Sequence, residues 1–377
     1  MWKVPLFDLN FDHREETAVS VVMQSRWLTM GEQTKLFEQE FSSFLGNGAK
    51  SIAVSSATAS LHMSLLALGV GPGNEVIVPA LTFVADANVV CMVGATPVLA
   101  DSESLDNWNV SADSIAEKIT SKTKAVIVVH FAGYPCEMES IVSLCNENGI
   151  ALIEDAAHAP GAAIEGRMCG TFGDTGCFSF FSNKNLSVGE GGMVVSTDER
   201  IVKNLTSLRS HGMTSLTLDR HKGRSTTYDV EQVGLNYRMD EIRSAIGLVQ
   251  LDKLIDGNAK RKSHTDAYRK ELCDVPVEIP FAKLEQGVTS SYHIMPVLLP
   301  VNVSRVDVIN ALKKRGIQSS IHYPPFWGFT AYASTTRKEE APIVADICER
   351  ELTLPLYPTM SEEQRNLVVT AVKEAVS

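Results

Sequence analysis

Lys184 lies in the run Ser179-Phe180-Phe181-Ser182-Asn183-Lys184-Asn185-Leu186-Ser187-Val188-Gly189-Glu190-Gly191-Gly192, a polar turn between an aromatic segment and a Gly-rich one. A lysine is ordinarily a solvated surface charge. Here the glycines let backbone approach a ligand with no Cβ in the way, and the phenylalanines imply partial burial. A nucleophilic lysine needs its pKa depressed, which desolvation or nearby cations supply. Asp155 ends the apolar run Ala151-Leu152-Ile153-Glu154-Asp155. An amine that can form a Schiff base, with a carboxylate that can keep a pyridinium nitrogen protonated, is the protein's share of pyridoxal phosphate chemistry. Taken alone, Asp155 also reads as a helix cap or a metal ligand, and His158, three residues on, as a structural histidine.

Other residues could serve an anion. Ser55-Ser56-Ala57-Thr58-Ala59-Ser60-Leu61 follows an apolar run and opens a helix. A helix N-terminus offers free N–H groups and a partial positive charge, so it suits a phosphate; it is equally the place for an ordinary Ser/Thr cap. Ser179 is a further phosphate donor. Gly234-Leu235-Asn236-Tyr237-Arg238-Met239-Asp240 places Asn236 and Arg238 at another helix start, where a capping turn is the simpler reading. Gly69-Val70-Gly71-Pro72-Gly73 precedes a strand; a dinucleotide fingerprint follows one, so this reads as a turn.

These residues need elements to hold them. Short β-rich runs recur at 51–54, 75–78, 96–100, 125–130, 151–154 and 192–196, with helix-like segments near 58–69, 84–92, 111–119 and 137–148. That alternation predicts a mostly parallel sheet covered by helices, and runs apolar throughout predict strands buried on both faces. Residues 34–45 form an amphipathic pattern with Leu36, Phe37, Phe41, Phe44 and Leu45 on one side. Arg238 to Ile255 reads as one long helix and 260–272 as a second, polar one. Strand-like 292–299 and helix-like 305–315 and 362–376 suggest a smaller α+β domain beginning near residue 250. The stretch 211–234 is polar and aperiodic, as functional or partner-reaching loops are.

The chain has 377 residues, enough for two domains without disulfides or metals. Its net charge of -11 argues against nonspecific nucleic-acid binding. Seven scattered cysteines with no CxxC pair indicate neither a zinc site nor a disulfide framework. With no signal peptide and no bilayer-length apolar run, a cytoplasmic protein without a membrane or nucleic-acid partner is expected.

Together the residues resemble the DegT-type (DegT/StrS) sugar aminotransferases, a branch of the fold-type-I pyridoxal phosphate enzymes. The resemblance spans nearly the whole chain. It rests on the order and spacing of Ser56-Ala57-Thr58-Ala59, Pro79-Ala80-Leu81-Thr82-Phe83, Glu154-Asp155-Ala156-Ala157-His158, Lys184-Asn185 with Gly189-Glu190-Gly191-Gly192, Asn236-Tyr237-Arg238 and His322-Tyr323-Pro324-Pro325. It implies an α/β fold. A large domain over 1–250, N-terminal arm included, would hold a mostly parallel seven-stranded sheet between helices. A smaller C-terminal α+β domain would cover 251–377.

The resemblance also implies roles. Lys184 would be the Schiff-base lysine and proton shuttle, Asp155 the pyridinium partner, and His158 would lie beside the cofactor's phenolic oxygen. Ser56, Ala57, Thr58, Ala59 and Ser179 would surround the phosphate, and Phe83 would stack on the ring. Asn236 would reach the phosphate bound by the neighbouring subunit of a homodimer. Trp27, Leu28, Thr29, Arg238, His322 and Tyr323 would face substrate, with no metal. Two departures stand out: Ala57 replaces the family's usual glycine, and Asp86 stands where many relatives carry a small or neutral residue, tuning the pocket or facing solvent.

The implied activity is transamination of a nucleotide-linked keto sugar, a UDP- or dTDP-4-keto-6-deoxyhexose, with L-glutamate as donor. Its product would be an amino sugar for lipopolysaccharide or another surface glycan. A 3-keto sugar, or a non-catalytic cofactor-binding regulator on the same scaffold, are the alternatives. Related dehydratases carry histidine in place of the lysine, so Lys184 argues against that reaction.

Overall fold

The computed structural model describes residues 2–214, 223 and 227–376. Seven of its strands form one sheet: β1 (Lys50–Val54), β2 (Glu75–Pro79), β3 (Thr96–Ala100), β4 (Thr123–Val129), β5 (Ala151–Asp155), β8 (Thr175–Ser179) and β9 (Gly192–Ser196). The ribbon β6 (Ala163–Ile164) and β7 (Arg167–Met168) lies apart. The spatial order is β1-β9-β8-β5-β4-β2-β3. The pairs β3–β2, β2–β4, β4–β5 and β5–β8 are parallel, while β9 runs antiparallel to both β8 and β1.

Alternate strand residues feed different layers, as period-2 geometry dictates. On one face Val76, Val78, Ile127 and Ile153 pack with α3 (Ala57–Ala67) and α4 (Ala85–Met92). On the other, Ile77, Val126, Val128 and Leu152 pack with α5 (Ala112–Ala116) and α6 (Met138–Asn148). Phe37 and Phe41 of α2 (Glu32–Leu45) meet Phe178 and Phe180 over the β8–β9 end, with the Phe41 and Phe178 rings edge to face at 5.0 Å. Of the face read at 34–45, Phe37, Phe41, Phe44 and Leu45 join this contact, while Leu36 is exposed.

The strand β8 was not among the β-rich runs. Its sequence Thr-Gly-Cys-Phe-Ser offers little β-branched character, yet all five residues are buried. Gly176 is tolerated because a Cβ there would lie 2.1 Å from the Gly170 carbonyl oxygen. Tertiary crowding, rather than propensity, makes this strand. Helix α1 (His13–Ser25) precedes α2 and is held by a capping box between Asp12 and Glu15. After α7 (Glu199–Leu208), the two helices expected at 238–255 and 260–272 are one, α8 (Glu241–Glu271), of 31 residues. Gly257 and Asn258 look like a break in sequence, but both are buried and Asn258 Nδ2 donates to the Pro160 carbonyl at 2.9 Å.

The C-terminal part pairs β11 (Met295–Leu298) with β12 (Glu351–Leu354), while β10 (Val288–Thr289) joins β6. Around that pair pack α9 (Arg305–Lys314) and α11 (Glu362–Val376), with α10 (Pro342–Arg350) leading into β12. This second core also takes Tyr268 and Leu272 from the end of α8 and Val4 from the N-terminal arm, whose backbone bridges Ile317. Residue 250, the expected boundary, lies inside α8. Of the stretch 211–234, Met213 bridges Val230; residues 215–222 and 224–226 lie outside the described residues. Among the described residues no helix is long and apolar enough to cross a membrane.

Candidate active site

The register of four strands brings the separate motifs to one place. Asp155 of β5 pairs with Cys177 of β8, Ser179 of β8 pairs with Gly192 of β9, and Gly192 pairs with Val54 of β1. Asp155, Ser179 and the chain leaving Val54 therefore share the carboxyl edge of the parallel strands, where open α/β sheets bind ligands. The start of α3 follows at once. Ser56 is its cap, its Oγ accepting from Ala59 N at 3.1 Å. Ala57 and Thr58 come too early in the helix to have a carbonyl partner, so their N–H groups face outward from the dipole's positive end. Thr58 is exposed and Ala59 buried. A Cβ at Gly192 would sit 2.4 Å from the Ser56 carbonyl carbon, so only glycine allows this approach. The 236–238 segment lies alongside: Ser55 N donates to Tyr237 O at 2.8 Å, Val54 bridges Arg238, and the exposed Asn236 bridges Ser210.

Lys184 is half-buried in the turn after β8, its own N–H bonded to Phe181 O at 2.9 Å. Burial pushes its amine down to about 8, against the pull of the Asp155 charge. Burial conversely pushes the Asp155 carboxyl up, opposed by the Ala157 N–H at 2.9 Å and the Lys184 charge. No ion pair joins the two among the described residues, so each charge biases the other without neutralising it in a direct bridge. The next residue is firmly anchored: Asn185 Nδ2 donates to Asn258 Oδ1 and to Ser291 O, each at 2.8 Å.

Asp86 is fully buried, not solvent-facing. Thr82 Oγ1 donates to its Oδ2 at 2.5 Å, and Oδ1 has no partner. Burial and the Asp155 charge push its pKa well up, against the hydrogen bond from Thr82.

Aromatic and imidazole rings close the other side. His158 Nδ1 accepts from Ala132 N at 3.3 Å, which leaves the ring hydrogen on Nε2 to meet the Tyr323 hydroxyl at 3.1 Å. Both ring nitrogens are thus engaged within the protein. Burial holds His158 well below the usual histidine range. Its ring lies 4.4 Å from that of His293, which meets Asn185 Oδ1 at 2.9 Å. Tyr323 also packs 5.7 Å from Phe83, whose ring is 55% exposed and open to a further planar partner. His322 is buried beside Tyr323.

The Trp27–Gly31 loop lies against the start of α8, where its Leu28 carbonyl accepts from Glu241 N at 3.0 Å and its Gly31 N donates to Glu241 Oε1 at 2.8 Å. Trp27 is half-buried; Leu28 and Thr29 are exposed. His293, Thr353 and Glu351 went unnoticed in the sequence. The signal for the last two was small but real: in Glu351-Leu352-Thr353-Leu354, two polar residues share one face of a strand.

A family profile described as the DegT/DnrJ/EryC1/StrS aminotransferase family matches residues 10–373. The spore coat polysaccharide biosynthesis protein SpsC of Bacillus subtilis is 35% identical over 95% of this chain and 93% of its own. Among solved structures, the putative sugar aminotransferase Spr1654 from Streptococcus pneumoniae in its PLP form superposes with a TM-score of 0.90 at 29% identity, covering 100% of this chain and 98% of that one. Helicobacter pylori PseC, an aminotransferase involved in the biosynthesis of pseudoaminic acid, gives 0.90 at 28% identity with the same coverage.

Proposed function

The chain belongs to the DegT/DnrJ/EryC1/StrS aminotransferase family, and on that premise we propose that it moves an amino group from L-glutamate to a nucleotide-linked keto sugar, a UDP- or dTDP-4-keto-6-deoxyhexose, in a site completed by a second copy of the chain. It is a fold-type-I, pyridoxal phosphate-dependent sugar aminotransferase, kin to proteins of polysaccharide and sugar biosynthesis. The observation that carries the reading is the pair Lys184 and Asp155: an amine pushed down to about 8 across from a buried carboxylate.

The residues fit pyridoxal 5'-phosphate. A helix start with unpartnered N–H groups, approached so closely that Gly192 has no room for a Cβ, suits its phosphate. Ser179 adds a hydroxyl, the open face of Phe83 suits a stacked ring, and Asp155 suits a protonated ring nitrogen. When bound, the cofactor supplies an electron sink for the charge left when a proton leaves the neighbouring carbon. Asp155 would hold the ring nitrogen in its protonated form. Lys184 would be the covalent anchor, and its Nζ would be the group that moves the proton, a role contributing about 10²–10⁴-fold. Tyr323, oriented by His158, and His322 close the pocket over the substrate. Arg238 and the Trp27–Thr29 loop meet the sugar nucleotide, and Asn236 serves the partner's phosphate site.

The test is a panel of UDP- and dTDP-linked 4-keto and 3-keto sugars incubated with glutamate, read by mass spectrometry for amino sugar and 2-oxoglutarate. Amination of a 4-keto substrate is expected. Amination of 3-keto sugars alone would move the assignment to the other ring carbon. A cofactor absorption that glutamate leaves unchanged would favour a binding protein instead.

A further inference from the structure

Glu351 is fully buried on β12, and its two carboxyl oxygens meet different partners. Oε2 accepts the backbone N–H of His322 at 2.8 Å. Oε1 lies 2.5 Å from Thr353 Oγ1, which in turn lies 2.8 Å from His322 Nδ1. The threonine hydroxyl has a single proton, so it can donate in only one direction. If Glu351 is ionised, the hydroxyl donates to Oε1. Nδ1 must then carry the ring hydrogen and donate to the hydroxyl, which leaves Nε2 a bare acceptor. If Glu351 is protonated, Oε1–H donates to the hydroxyl, the hydroxyl donates to Nδ1, and the ring hydrogen sits on Nε2. The same heavy-atom positions serve both arrangements.

The histidine at the end of this chain of hydrogen bonds faces the site. With Asn183, His293 and Thr353 it lines a small cavity beside the Lys184 turn. Its ring is 4.9 Å from that of Tyr323, and the Lys184 charge acts on it. Burial pushes its pKa down to about 3, so the imidazole is neutral and only its tautomer is in question. Nε2 has no protein partner among the described residues.

We propose that Glu351 is a positioning residue that sets, through Thr353, whether His322 presents an N–H or a lone pair to the substrate. The inference rests on the reading of this pocket as the aminotransferase site. The N–H form recognises an anionic or carbonyl oxygen; the lone-pair form rejects one.

The charged surroundings give this switch a direction. Burial pushes the Glu351 carboxyl up to about 8, against the hydrogen bonds from Thr353 and His322 N and the Arg305 guanidinium. Arg305 comes from α9 and donates to the carbonyls of Cys348 and Glu351. The Cys348 thiol on α10 is pushed up to about 12 and the Tyr323 phenol is also pushed up, so both stay neutral across the range. Near neutral pH Glu351 is therefore protonated and His322 is a donor; raising the pH through about 8 ionises Glu351 and turns His322 into an acceptor.

The experiment uses the cofactor-loaded full chain with ¹⁵N-labelled histidine. Two-bond ¹H–¹⁵N spectra identify the tautomer between about pH 6 and about pH 9.5, with the His322 signal assigned by its loss in His322→Gln. The expected result is an Nε2–H pattern that converts to Nδ1–H with rising pH. In Glu351→Gln the amide donates permanently to Thr353, so the Nε2–H pattern should persist throughout. In Thr353→Val, which removes the connecting hydroxyl, the conversion should vanish. Wild-type kcat/KM should fall as pH rises through about 8, and that fall should be absent in Glu351→Gln. A wild-type tautomer that never changes, or a conversion surviving in either variant, overturns the proposal. The spectra need no turnover. A conversion in a protein that aminates no keto sugar would sink the proposed function alone, and amination with a fixed tautomer would sink this inference alone.

Discussion

Burial acts on Lys184 and Asp155 in opposite senses, pulling the amine down and pushing the carboxyl up, while each charge partly restores the other. An amine at about 8 is neutral, and hence nucleophilic, at a pH where a solvated lysine is almost wholly charged. The rate at which apoprotein captures the cofactor covalently should therefore rise with pH and level off above about 8, which stopped-flow absorbance will follow. Lys184→Ala should lower kcat by at least about 10²–10⁴-fold while retaining cofactor non-covalently; ordinary turnover in that variant would remove Lys184 from its role. Asp155→Asn should slow the reaction with the fold intact, checked by steady-state kinetics beside circular dichroism. Lys184 and Asp155 were legible in sequence because each stands out against its own neighbours, one before glycines, the other ending an apolar run. Asp86 was legible only as a departure that could line the pocket or face solvent, and His293 and Glu351 were not legible at all. What makes them matter is burial against chain distant in sequence, which no local pattern encodes.

At the level of elements, the close contact of β9 with the start of α3 is the joint on which the proposed phosphate site depends. Gly192→Ala pushes a methyl into the Ser56 backbone, so α3 must shift; cofactor affinity should drop about tenfold or more, as one lost charge-assisted hydrogen bond implies, measured by fluorescence titration. The start of α2 is held in a comparable way. Glu241 accepts from the N–H groups of Gly31, Gln33 and Thr34 and from the Thr34 hydroxyl at 2.8–2.9 Å, so a side chain from α8 caps another helix. Glu241→Gln turns an amide N–H₂ toward some of these donors and should destabilise the fold by about 2–3 kcal/mol, seen as a lower thermal midpoint. The β4 and β5 strands were readable as apolar runs, and α6 as a helix-like segment near 137–148. The strand β8 and the unbroken α8 were not, because Gly176 and Gly257 look like breakers until their packing is known.

For the whole molecule, the apolar side chains left outside are informative. Trp2, Phe7, Leu9 and Phe11 of the N-terminal arm are exposed, as are Leu28, Phe83 and Phe181. With the exposed Asn236, these side chains are surface that the proposed dimer would cover if they form one contiguous patch. Light scattering should give twice the 41.1 kDa chain mass, and a fully active monomer would contradict a shared site. The α8 helix carries one more consequence. Its 31 residues make a rod of about 45 Å. One end abuts the Trp27 loop and the other is sealed into the C-terminal core. Midway along it, Asn258 ties the rod to Asn185 and to the Pro160 carbonyl, so a single stiff element fixes the Trp27 loop, the Lys184 turn and the C-terminal core in one frame.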